Sequence, residues 1–243
     1  MKDPQPWHEI VWTPAKAELF WNYVAQNAVS ENTYFSKLAG PSVISNVKRH
    51  IQLKGRIVDY GCGTGLFMEH LLKENISCEG MDFSLNSINI VTSKFKNNLL
   101  FRGVHHITSL PTSIDDESVD IVFFLETIEH VLPDDLAPTL KEIHRILRPG
   151  GYVIVTTPNS ENLDLSQVIC ADCGAVFHRW QHVRSFMPES LSHLMDEFGF
   201  RCLICSPTLF VTNNKIISTI KRYFKKIIGE TLPNLLYIGS KKS

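Results

Sequence analysis

The segment Ile57-Val58-Asp59-Tyr60-Gly61-Cys62-Gly63-Thr64-Gly65 runs an apolar strand into a turn with glycine at three alternate positions, and a helix-like stretch with Leu66, Phe67, Leu71 and Leu72 follows. Glycines so spaced let the backbone turn sharply and let a ligand approach where side chains would clash. The spacing narrows the ligand. A dinucleotide fingerprint needs G-x-G-x-x-G facing a pyrophosphate. Here the third glycine comes early, at Gly65, and Leu66 holds the position it should occupy. No Gly-Lys-Ser/Thr follows, so a nucleotide phosphate loop is excluded. Asp59 adds a negative charge beside the turn, which repels phosphate and attracts an ammonium group.

In this form, D-x-G-C-G-T-G, the chain resembles the class I S-adenosylmethionine (SAM) methyltransferases, whose cofactor carries an amine and a sulfonium. Further segments extend the resemblance in order. Strand-like Cys78-Glu79-Gly80-Met81 ends in Asp82, where an acidic residue can take both hydroxyls of a ribose. Ser118 to Phe124 reads as a buried parallel strand, being continuously apolar rather than alternating. A helix with Leu136, Leu140, Ile143 and Leu147 on one face follows, stopped by Pro149-Gly150, and Gly151 to Thr157 reads as the next strand. The resemblance implies an α/β, Rossmann-like doubly wound sheet of seven strands, the last antiparallel, with N-terminal helices and a small insertion. It implies a cofactor site of Asp59, Gly61, Cys62, Gly63, Gly65, Asp82, Phe83 and Leu125. One departure stands before Leu110-Pro111, where His105-His106-Ile107-Thr108 replaces the family's acidic adenine contact. The sequence leaves that contact unassigned.

A length of 243 residues suits one substantial core, and 44% hydrophobic with 20% charged residues is ordinary for a folded domain. A formal net charge of -1 gives no global attraction to nucleic acid or anionic membrane. The first residues lack the apolar core of a signal peptide and no run approaches a membrane span, so the expected location is cytoplasmic. Residues 1–54, with Phe20, Trp21, Tyr23, Tyr34 and Phe35, are expected to form a helical cap. Residues 55–243 are expected to form the methyltransferase domain, with an insertion at about 160–187.

The expected reacting end follows the strand that closes at Phe124. Glu126, Glu129 and His130 offer three polar groups in five residues, at the carboxyl edge where open α/β sheets bind ligands. This E-x-x-E-H resembles the metal-binding motif of two groups, the small-RNA 3′-terminal 2′-O-methyltransferases and the O-methyltransferases of ubiquinone biosynthesis. In the RNA group a later histidine completes the site, and His182 lies at a suitable distance. Glu126, Glu129, His130 and His182 are therefore the candidate catalytic set, and a candidate divalent-cation site that would lower the pKa of a coordinated hydroxyl. The competing reading is metal-free, with the glutamates and histidines as helix caps, cofactor contacts or a general base.

A second constellation competes for His182. Cys170-x-x-Cys173 followed by His178-x-x-x-His182 has the ligand types of a zinc site, which would pin the insertion near the substrate mouth. Alternatively the cysteines are reduced loop residues. Cys202 and Cys205 have opposite parity in a predicted strand and are read as structural. Arg179, Trp180 and Arg184 suit recognition of an acidic or aromatic substrate, or a salt-bridged rim. Near the C-terminus, 215–228 is a basic amphipathic stretch that could touch an anionic membrane or pack on the domain or a second subunit.

These observations point to SAM-dependent methyl transfer, with oxygen the favoured nucleophile and a small-molecule or lipid-linked acceptor. An RNA methyltransferase and a non-catalytic SAM-binding regulatory protein stay open; the neutral charge speaks against RNA. Acceptor identity and oligomeric state are not encoded in any motif found.

Overall fold

In chain order the computed structural model, which describes residues 7–26, 34–210 and 232–242, runs β1 (His8–Glu9), α1 (Pro14–Gln26), α2 (Phe35–Val47), β2 (Ile57–Tyr60), α3 (Leu66–Lys73), β3 (Cys78–Asp82), α4 (Leu85–Phe95) and β4 (Phe101–His106). It continues with β5 (Val119–Leu125), α5 (Pro133–Ile146), β6 (Leu147–Pro158), a 3₁₀ turn (Leu163–Ser166), β7 (Gln167–Ile169), β8 (Ala175–His178), α6 (Pro188–Glu197), β9 (Phe200–Thr208) and β10 (Asn234–Lys241). Seven strands form one sheet in the order β4-β3-β2-β5-β6-β10-β9. The first five are mutually parallel, and β10 runs antiparallel to both of its neighbours. The expected doubly wound sheet with an antiparallel last strand is therefore present.

The continuous apolar run of β5 is explained by helices on both faces. Ile121, Phe123 and Leu125 enter one buried layer with α2 and α3, while Val122 and Phe124 enter the other with α5 and α6. Helix α5 opens with Pro133 in its first turn, followed by Asp134 and Asp135, and closes with His144 and Arg145. These charges complement the helix dipole. It ends at Ile146, before the expected Pro149-Gly150 stop, and Leu147 is already extended. Pro149 disfavours helical backbone at Arg148, which shortens the helix.

Two features escape the sequence. A bulge at Leu203, where Ile238 pairs with Ile204 but Gly239 with Cys202, shifts the parity of β9. Cys202 and Cys205 consequently both face α6, with Cys202 Sγ 3.9 Å from Ser192 Oγ and Cys205 Sγ 3.3 Å from the Pro188 carbonyl. The parity expected of an unbroken strand is thus corrected, and both remain free thiols. Second, the insertion folds as a hairpin, β7 against β8, and β1 joins β8 in parallel, so the start of the described chain belongs to the insertion's three-stranded sheet. Among the described residues no helix is long and apolar enough to cross a membrane. The amphipathic stretch 215–228 lies outside the described residues.

Candidate active site

The glycine turn is stitched to the end of β3. Gly61 and Cys62 donate their N–H groups to the Met81 carbonyl at 2.8 and 2.9 Å, and Gly63 donates to Asp82 Oδ2 at 2.9 Å. Asp82 Oδ1 accepts from the Ser84 N–H at 2.8 Å. Burial pushes the Asp82 carboxyl up, and these backbone donors oppose the shift. Gly61 has φ 81°, and a Cβ there would lie 2.7 Å from Thr127 Cγ2. At Gly63, φ 49°, a Cβ would meet nothing within 4 Å. The open space above Gly63 belongs to a cavity of about 780 Å³, within the range of roughly 300–1,000 Å³ for small-molecule sites.

Gly61, Cys62, Gly63, Asp82, Phe83 and Leu125 line that cavity, as do Glu126, Glu129, His130 and His182. Two expected cofactor residues stand behind the wall. Asp59 alternates to the Ile57 side of β2, toward the layer holding Cys62 and Cys78, and burial together with the Asp82 charge pushes its carboxyl up to about 8. Asp59 is not among the residues that line the cavity. Gly65 turns the chain into α3 with φ 74°, and a Cβ there would strike Phe95 at 2.7 Å, so its work is packing. In place of the absent acidic adenine contact, Ile107, Thr108 and Ser109 form that end of the cavity.

At the opposite end Glu126, with φ 44°, turns the chain out of β5. Burial pushes its carboxyl up to about 7, and burial together with the Glu126 charge also drives Glu129 well above the usual carboxylate range. Burial and the neighbouring His182 hold His130 down at about 3, hence neutral. Thr157 Oγ1 donates to Glu129 Oε2 at 3.0 Å. Glu126 Oε1, Glu129 Oε1 and His130 Nδ1 are buried without a hydrogen-bond partner. Buried polar atoms left unpaired cost free energy, so three together at one cavity end mark where a polar ligand group belongs.

Glu129, His130 and His182 bring one ligand-capable atom each within 4.8 Å of one another. Glu126 does not join them. The Cys170-x-x-Cys173 site is not assembled: among the described residues no ligand cluster includes either cysteine, and His178 and His182 gather round Glu161 instead. The reason is the hairpin. Cys170 and Cys173 occupy its tip, where Gly174 N–H donates to the Cys170 carbonyl at 2.9 Å, whereas His178 ends β8. Four extended residues separate the thiols from that imidazole by roughly 10 Å or more.

The cavity roof contains residues without motif signals. Gln181, fully buried with φ 62°, accepts from Trp21 Nε1 at 2.8 Å and donates to the His130 carbonyl at 2.9 Å. The Trp21 ring meets His130 edge-on, with centroids 4.7 Å apart. Arg184 donates to the carbonyls of Ile128 and Val131, and Arg179 lies over the Trp180 ring. Neither arginine lines the cavity, whereas Trp180 does. Glu161 and Gln181 were detectable only as polar residues in an insertion near the sheet's carboxyl edge.

A family model described as a methyltransferase domain matches residues 35–204, a span that holds the glycine turn, Asp82 and the Glu126–His130 loop. The chain belongs to this methyltransferase family, in the class I SAM-dependent group. Among curated relatives, a ubiquinone biosynthesis O-methyltransferase of Agrobacterium fabrum is 30% identical over 47% of this chain and 45% of its own. The tRNA N(3)-cytidine methyltransferase METTL2 of Gallus gallus is 28% identical over 41% of this chain and 29% of its own. The methyltransferase thus spans less than half the length of these relatives. Among solved structures, the complex of the Haloferax volcanii Trm112 methyltransferase activator with a methyltransferase gives a TM-score of 0.65 at 18% identity, over 96% of this chain and 100% of that one. The 1,6-didemethyltoxoflavin-N1-methyltransferase of Burkholderia thailandensis gives 0.63 at 14% identity, over 98% and 94%. At these identities the likeness is one of fold.

Proposed function

We propose that this methyltransferase transfers a methyl group from SAM to a hydroxyl oxygen of a small, largely apolar acceptor. The observation that carries this is a single cavity joining the Gly61–Gly63 turn and Asp82 to the polar cluster of Glu129, His130 and His182 beneath an aromatic roof. SAM fits the residues present: a Cβ-free approach at Gly63, the Asp82 carboxylate, and unpaired buried polar atoms at the far end. When bound there, SAM supplies an electrophilic methyl group on a sulfonium. Asp82 and the turn would hold it. The residues at the far end orient the acceptor and receive its proton, and the roof excludes water, so alignment supplies much of the rate.

Trp21, Val24, Phe35, Leu132 and Trp180 line the remaining space, which favours an acceptor with an apolar body, such as a phenol or a lipid-linked hydroxyl compound. A divalent cation at Glu129, His130 and His182 is a second reading, favoured by their convergence within 4.8 Å. It would acidify the same hydroxyl. Similarity to METTL2 raises an RNA acceptor, but a net charge of -1 supplies no overall phosphate attraction.

The test is incubation with methyl-labelled SAM and, separately, an alkyl-substituted catechol, a lipid-linked hydroxyl compound and tRNA, with metal content measured on protein purified without chelator. Label on a catechol or lipid-linked oxygen is expected. Label in tRNA alone would replace this reading with RNA methylation. A cation lost from Glu129→Ala would establish the metal-assisted form.

A further inference from the structure

Glu161, in the loop after β6, hydrogen-bonds one histidine and approaches a second with the same carboxylate. Its Oε2 lies 2.5 Å from His182 Nδ1 and its Oε1 lies 3.3 Å from His178 Nε2. The two imidazoles stack, with centroids 4.3 Å apart and planes inclined by 19°. Donor and acceptor accounting then fixes where the ring protons sit. His178 Nδ1 accepts the backbone N–H groups of Trp180 at 3.3 Å and His182 at 3.2 Å. That nitrogen must carry a lone pair, so the one proton of a neutral His178 ring is on Nε2, on the side of Glu161.

Glu161 Oε2 meets His182 Nδ1 at hydrogen-bond distance. A carboxylate oxygen accepts, so in this contact the imidazole presents a proton on Nδ1. In the neutral ring the lone pair then falls on Nε2, at the other side of a ring that lines the cavity and meets His130 at a centroid distance of 4.7 Å.

We infer that Glu161 is a positioning residue that locks His182 in the Nδ1–H tautomer, with His178 steering the carboxylate, so that the His182 Nε2 lone pair is presented to the reacting end. Its catalytic consequence rests on the reading of the cavity as the methyl-transfer site. The arrangement serves a hydroxyl proton or a cation equally, because in both cases the imidazole needs a free Nε2 and an oriented ring.

The experiment is side-chain ¹⁵N NMR of histidine-labelled protein, with His182 assigned by its loss in His182→Gln, combined with kinetics on an alkyl catechol. The expected wild-type spectrum has His182 protonated at Nδ1 and bare at Nε2. Glu161→Ala should lose that pattern and lower kcat about 10- to 100-fold, with the KM for SAM within about twofold. Glu161→Gln, whose amide oxygen can still accept from one ring, should fall between. A wild-type His182 protonated at Nε2, or an unchanged His182 spectrum in a folded Glu161→Ala protein, overturns the inference. So does an unchanged kcat in that variant. Wild-type protein that neither binds SAM nor methylates the catechol, yet shows the Nδ1–H pattern, would defeat the proposed function and leave the tautomer assignment standing.

Discussion

Asp82 is the acidic side chain on which cofactor affinity should depend, because its two oxygens tie the glycine turn, through Gly63, to the start of α4, through Ser84. Asp82→Ala is expected to weaken SAM binding by about 30- to 100-fold, roughly 2–3 kcal/mol. Titration calorimetry checks this, and an unchanged Kd would remove Asp82 from the cofactor site. Asp59 behaves differently. Its folded pKa of about 8 lies above the ordinary 3.8, so the native state binds the extra proton across that window. Its contribution is complete below about pH 4 and is lost as pH rises toward about 8. Wild type should therefore lose stability relative to Asp59→Asn between pH 5 and pH 9, by on the order of a few kcal/mol. Thermal melts across that range test it, and a constant gap between the two proteins would contradict the assignment.

The best-determined element is β5, whose Phe123 packs fully buried against the Phe67 ring at 4.8 Å. Phe123→Ala should cost about 3–5 kcal/mol, read from denaturant unfolding; a loss under about 1 kcal/mol would mean that the layer collapses into the space. Such elements were legible because their causes are local: β5 is apolar without interruption, the turn needs glycine, and α5 carries periodic leucines and isoleucines. The Glu129, His130 and His182 gathering was legible through a motif. Strands β1, β7 and β8 were not, since two to four residues hold no period and their pairing is decided by partners far along the chain. The same limit hid the bulge at Leu203 and the role of Glu161, whose meaning comes only from the two imidazoles the insertion brings beside it. The C-x-x-C pair misled because spacing along the chain says nothing of strand length between ligands.

At the scale of the molecule, the parallel part of the sheet supplies the floor of the cavity and the N-terminal helix and insertion together supply its roof. Helix α1 packs against α4, and Asn22 Oδ1 accepts from Ser84 Oγ at 2.7 Å, so the roof is anchored beside the cofactor turn. Trp21→Ala would leave the buried side-chain amide oxygen of Gln181 without its donor and open the space over His130. Expected are a loss of about 2 kcal/mol in stability and a rise of at least about tenfold in acceptor KM, with SAM affinity changed far less. Initial-rate kinetics would refute this if the SAM KM rose as much as that of the acceptor. Because Trp21 and Gln181 stand 160 residues apart, the two halves of the roof leave the ribosome at widely separated times. The strands bearing the cofactor turn lie between them, emerging after Trp21 but well before Gln181, so a growing chain has a seat for its methyl donor before it has a chamber that can exclude water from the reaction.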